Sequence, residues 1–118
     1  MYNNIHSGQY GQRYAVNFLR KKGMTLKESN FRVSRGEIDL IMRDGDYIVF
    51  VEVKYRRSLK YGLPREAVDF RKQKQIKKTA MYYVYRKQLH NQDFRFDVVE
   101  LLESEKGLFI NHIENAFW

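Results

Sequence analysis

The chain has 118 residues, enough for one domain with a hydrophobic core. Cysteine is absent, which excludes disulfides and thiolate metal sites; no apolar run reaches the ~18 residues that span a bilayer, and no signal-peptide pattern opens the chain, so a cytoplasmic protein is expected. The formal net charge is +8, and the whole excess lies between Lys54 and Lys78, where ten basic residues meet only Glu66 and Asp69.

Clustering of this kind is either the footprint of a polyanion binder or a solvated helix face. The elements in chain order help to choose. From about Gly8 to Lys22, Tyr14, Ala15, Phe18 and Leu19 form the apolar stripe of a helix, with Gly8 and Gly11 as helix-start residues and Lys21-Lys22-Gly23 as the stop. Leu26 to Val33 fits an edge strand. Glu37 to Met42 and Tyr47 to Lys54 are strands, and Arg43-Asp44-Gly45-Asp46 between them is a hairpin signal. Pro64 suits the first turn of a second helix running to about Gln88, with Val68, Ile76, Ala80, Tyr83 and Val84 on its inner side. Phe94 to Leu102 and Leu108 to Ile113 are two further strands around Glu105-Lys106-Gly107. The order helix, three strands, helix, two strands predicts a helix-flanked sheet of about five strands in one domain spanning residues 1–118, an α/β (α+β) class.

The hairpin carries the informative charges. With Asp44-Gly45 at the centre of a two-residue turn, Asp39 faces Phe50 and Glu37 faces Glu52. One face then holds Ile38, Leu40, Met42, Tyr47, Val49, Val51 and Val53, all for the core. The other has Ile41, Ile48 and Phe50 near the turn, and Glu37, Asp39, Glu52 and Lys54 at the far end. Asp39 and Glu52 become diagonal neighbours, roughly 7–8 Å apart. Solvation of an open face would explain such charges, with Lys54 as their salt-bridge partner. Two helices are available to cover the sheet, however, and buried like charges need an offset. A hard divalent cation supplies one, since Mg²⁺ takes one or two carboxylates together with waters and phosphate oxygens. Such an ion polarises a phosphoryl oxygen, a neighbouring lysine stabilises the charge that builds there, and a basic segment neutralises flanking phosphates.

Five blocks then carry a resemblance: "GEIDLI" (36–41), "VFVEVKYRR" (49–57), "YGLPREAV" (61–68), "RFDVVEL" (95–101) and "IENAF" (113–117). Together they resemble the bacterial YraN-like family, which is similar to the restriction-endonuclease-like PD-(D/E)xK nucleases and, among these, to the archaeal Holliday-junction resolvases. The resemblance implies a restriction-endonuclease-like fold. It makes Asp39 the motif aspartate and Glu52-Val53-Lys54 the (D/E)xK element, so that Asp39, Glu52 and Lys54 are the catalytic candidates. Asp39 and Glu52 would hold Mg²⁺ or Mn²⁺, with Glu37 and Gln12 as auxiliary ligands. Such relatives tend to carry a glutamate where Gln12 stands; the Gln12 carbonyl oxygen can coordinate but brings no negative charge.

Arg56, Arg57, Lys60, Arg71, Lys72 and Lys74 are the candidate contacts to the DNA backbone. No membrane contact is expected, and the two-fold substrates of resolvases would suit a homodimer. Tyr55 and Tyr61, among basic residues, are candidates for stacking on bases, whereas Tyr82, Tyr83 and Tyr85 are expected to pack. His6, His90 and His112 lack metal-ligand spacing and read as structural or surface residues. Ser34, before Arg35-Gly36, is placed to line the site. The expected activity is hydrolysis of DNA phosphodiesters, branched or junction DNA included. The alternative is a nucleic-acid-binding module of the same fold with weak or no catalysis.

Overall fold

The computed structural model describes residues 4–57 and 68–117, with side chains from Tyr10 onward. Helix α1 (Asn4–Lys21) leads into strands β1 (Thr25–Val33), β2 (Gly36–Asp44) and β3 (Tyr47–Arg56); helix α2 (Phe70–Arg86) is followed by β4 (Asp93–Ser104) and β5 (Gly107–Phe117). The five strands form one sheet in chain order. All neighbours are antiparallel except β3 and β4, which run parallel and are joined across α2, as a parallel pair requires. The expected α+β sheet, with its element order, is what the chain forms.

Each helix covers one face. Ala15 and Leu19 of α1 pack with Leu40, Met42, Val49, Val51, Val99 and Leu101. Ile76, Ala80 and Tyr83 of α2 pack with Phe31, Ile41, Ile48, Phe50, Phe96 and Val98 on the opposite side. Each fully buried large apolar side chain contributes roughly 1.5–3 kcal/mol, so this double covering holds both helices to the sheet.

Several expectations need correction. Ile38 does not share the face of Leu40 and Met42; it lies in the α2-side core with Phe31, its cross-strand partner. The backbone of β1 turns at Asn30 (φ 52), immediately before that pair. Gly8 and Gly11 lie inside α1 rather than at its start. Gly11 is where the helix touches the sheet: a Cβ there would stand 3.3 Å from Leu101 Cδ1 and 3.4 Å from Tyr55 Cβ. Helix α2 begins at Phe70, with Asp69 as N-cap accepting from the Lys72 N–H at 2.9 Å. The proposed start at Pro64 lies outside the described residues, as do Lys60 and Tyr61.

The hairpin register also differs. Asp44 pairs with Tyr47, so Gly45 and Asp46 form the turn, and Gly45 takes φ 60 at its first central position, where glycine is favoured. Relative to the expectation, every β3 residue moves two positions along β2. From Leu40 onward alternation is preserved, so those residues keep their expected faces, but the charged partners change.

Candidate active site

The β2–β3 ladder ends at Leu40 and Val51. One residue further, Asp39 withdraws from backbone pairing, and its Oδ2 accepts the Val53 N–H at 2.8 Å. A side chain thus takes the place of a strand carbonyl. Continuing the ladder by one pair sets Asp39 directly across from Glu52 rather than diagonal to it. Glu37 falls away from Glu52 and forms an ion pair with Arg32, its β1 partner, at 2.6 Å. It is therefore not turned inward as an auxiliary ligand, although its charge still acts on Asp39.

Glu52 is 5% exposed and lies in the floor of the α2 side of the sheet. Its Oε1 is 3.7 Å from Lys54 Nζ and 3.8 Å from Lys72 Nζ. Its Oε2 is buried and has no hydrogen-bond partner within ordinary geometry among the described residues. Burial pushes the Glu52 carboxyl up, the Asp39 charge adds to this, and the two lysines only partly offset it; the result is about 8. Asp39 is also raised, first by burial, against the opposing Val53 N–H and the Lys54 charge. The Asp39 charge and a hydrogen bond between the two carboxyls both raise Glu52, whereas that same hydrogen bond lowers Asp39. Near neutrality the pair keeps one proton, the behaviour of two acids that share one site.

Lys54 projects from β3 with its side chain about three-quarters covered. Lys72, a candidate contact to the DNA backbone, is brought beside Glu52 by the first turn of α2, at 33% side-chain exposure. Arg56 ends β3, and Arg57 is exposed just beyond it. Arg71 and Lys74 are exposed on α2, with the Lys74 ammonium 5.8 Å from the Phe70 ring centroid. Gln12 is engaged elsewhere: its Nε2 donates to Asn30 Oδ1 at 3.0 Å, which ties α1 to β1. Among the described residues no three of His, Asp and Glu converge on one point.

Two oxygen acids side by side, one with an orphaned buried oxygen, nevertheless suit a hard cation such as Mg²⁺ or Mn²⁺. Such an ion would displace the retained proton and satisfy Oε2.

Tyr55 does not reach out to stack on a base. It packs edge-on against Tyr10 on the α1 side, and its hydroxyl donates to Glu103 Oε2. Tyr82 and Tyr85, expected to pack, are 59% and 83% exposed; only Tyr83 is core, edge-on to Phe31 and Phe50.

A second polar cluster was not foreseen. Within β4, Asp97 is fully buried and accepts from Arg95 Nε (3.1 Å), His112 Nε2 (2.7 Å) and the Asn115 N–H (3.0 Å). Lys22 Nζ lies 2.8 Å from His112 Nδ1. An ammonium only donates, so Nδ1 accepts and Nε2 carries the proton given to Asp97. Arg95 Nη2 extends the chain to Asp44 at 2.9 Å. Burial alone would raise Asp97, but these donors outweigh it and hold the group below the ordinary carboxylate range. The signal was present in "RFDVVEL" and "IENAF", where charged residues stand among strand-forming ones. His112 is structural, as expected.

No helix among the described residues is long and apolar enough to cross a membrane. Residues 11–101 match the family described as Uncharacterised protein family UPF0102. A UPF0102 protein of Dictyoglomus turgidum is 46% identical, over 98% of this chain and 99% of its own length. Relatives from Clostridioides difficile and Clostridium acetobutylicum are each 47% identical, over 98% and 97% of this chain and 99% and 95% of theirs. With its αβββαββ sheet and this likeness along nearly its whole length, the chain belongs to the UPF0102, or YraN, family.

Proposed function

We propose that the chain is a metal-dependent endonuclease that hydrolyses DNA phosphodiesters, branched DNA among them. The observation that carries this reading is the pair of half-buried Asp39 and buried Glu52, both raised in pKa, with one Glu52 oxygen unpaired by ordinary hydrogen-bond geometry among the described residues and Lys54 and Lys72 beside it. A buried carboxyl raised by burial and by a neighbouring acid is a cost to folding when it is charged, and perturbed groups of this kind gather at functional sites.

Asp39 and Glu52 would hold Mg²⁺ or Mn²⁺. When bound, the ion would polarise a phosphoryl oxygen and lower the pKa of a water. The remaining work belongs to the protein. The Val53 N–H fixes the Asp39 carboxylate, so its free oxygen faces the site in one orientation. Lys54, 3.7 Å from Glu52 Oε1, would supply positive charge where the transition state gathers negative charge. Lys72 holds the phosphate from the α2 side, and Arg71 and Lys74 continue the basic surface along the helix.

The test is cleavage of four-way-junction, flap and linear DNA with Mg²⁺ or Mn²⁺. Wild-type cleavage should be lost in both Asp39→Ala and Lys54→Ala. Equal cleavage by all three proteins would place the activity elsewhere.

A second reading, a DNA-binding module with weak or no catalysis, draws on Gln12, which is tied to Asn30, and on the missing third acid. It predicts salt-sensitive, metal-independent binding without cleavage.

A further inference from the structure

Two adjoining cavities lead away from the carboxylate pair, between the β1–β2 turn and α2. The nearer, about 420 Å³, is bounded by Lys72, the residue that touches Glu52, and by the Arg32–Glu37 ion pair. The farther, about 280 Å³, is bounded by Ser34, Arg35, Lys78 and Tyr82. They share Val33 and Gln75. The passage is rigidly built. Gln75 Nε2 donates to Arg35 O at 2.8 Å, and Thr79 Oγ1 donates to Gln75 O at 2.9 Å. Gly36 lies so close to α2 that a Cβ there would stand 2.0 Å from Thr79 Oγ1.

The charge along this path favours a polyanion. Lys72, Arg35 and Lys78 line it, α2 contains no acidic residue, and Glu37 is already neutralised by Arg32. Cations alone do not separate duplex from single strand, since both present phosphates. Tyr82 does separate them. It stands 59% exposed at the far end, offering an aromatic face beside two cations. Stacked bases in a duplex have covered faces, whereas an unpaired base stacks freely on an aromatic ring.

We propose that this groove takes the single-stranded DNA segment next to the cleavage position, with its phosphates on Lys72, Arg35 and Lys78 and an unpaired base on Tyr82. The substrate class is then DNA with an unpaired tract, a refinement that rests on the nuclease reading for its meaning.

The test uses the intact protein in EDTA, so that binding is read without cleavage. Fluorescence anisotropy compares a fluorescein-labelled mixed-sequence single strand with its blunt duplex. Tyr82→Ala should weaken single-strand binding roughly tenfold and leave duplex binding within about twofold, and Tyr82→Phe should restore it. Arg35→Gln should weaken both and lower the single-strand salt slope by about 0.7. An iododeoxyuridine-substituted single strand should photocrosslink at Tyr82. Unchanged single-strand binding in Tyr82→Ala, equal loss for duplex, or failure of Tyr82→Phe to rescue would each overturn the proposal. So would a self-association in wild type that Tyr82→Ala abolishes, which would make the face an interface between copies. Single-strand binding through Tyr82 without cleavage would refute the nuclease reading alone; Asp39-dependent cleavage without a Tyr82 effect would refute the groove alone.

Discussion

Asp97 and Glu52 are both buried acids on central strands of one sheet, yet their surroundings are opposite. Asp97 receives Arg95, His112 and a backbone N–H, and its pKa falls. Glu52 has two lysines near 4 Å, a neighbouring acid and an oxygen with no partner among the described residues, and its pKa rises to about 8. Burial does not by itself distinguish a structural charge from a functional one; completeness of the hydrogen bonding does. The Asp97 network joins α1, β2, β4 and β5 into a finished unit. The Asp39–Glu52 pair is left incomplete in the protein alone.

The comparison breaks most sharply on activity. Asp39→Ala and Lys54→Ala should each lower kcat/KM by about 10²–10³-fold or more while the protein stays folded. Asp97→Ala should do the reverse: it removes the buried acceptor shared by Arg95 Nε, His112 Nε2 and the Asn115 N–H and should cost about 3–5 kcal/mol in urea unfolding, with activity falling only as the folded fraction falls. Gly36→Ala should destabilise by about 1–3 kcal/mol, and the added Thr79→Ala should recover part of that, because the clash is with Thr79 Oγ1. Glu52→Gln should stabilise the metal-free protein by about 1 kcal/mol at pH 8, since it removes a buried acid that has no complete set of partners.

The pH dependence separates the two acids by sign. Glu52 has a folded pKa above its ordinary value of 4.5, so the folded state holds a proton that the unfolded chain releases. Metal-free stability from this group should therefore fall as pH rises from about 4.5 to 8 and then level off, a trend that Glu52→Gln should flatten. Asp97 has a lowered folded pKa. Its contribution is present above the ordinary carboxylate pKa near 3.8 and is lost as pH falls below that value. Urea unfolding at a series of pH values, with both variants, reads both trends.

Much of this was legible in the sequence. Alternation gave the faces of β3 and of β2 from Leu40 onward, though not that of Ile38, and the Glu-x-Lys end placed the acids together. What alternation could not supply was register. The turn centre depended on which two residues stand between the strands, and Gly45 in a positive-φ first position moved it by one. That shift sets Asp39 opposite Glu52 and leaves Glu37 to Arg32, a closer acid pair than expected. Lys72 was legible only as charge, because its reach to Glu52 depends on where α2 starts, and Asp69 caps the helix. The Asp97 network joins residues far apart in the chain, and nothing local links Lys22 to His112. Tyr82 and Tyr83 are neighbours of one type, and only the helix's rotation on the sheet exposes one and buries the other.

The central claim is that Asp39 and Glu52 form an incomplete site for a divalent cation. Calorimetric titration of Mn²⁺ into the protein at pH 7, in two buffers of different ionisation enthalpy, tests it directly. The account predicts one ion bound per chain, proton release as Glu52 gives up its proton, and loss of the binding heat in Asp39→Ala. Absence of binding heat in the wild type, or heat unchanged by Asp39→Ala, would contradict it.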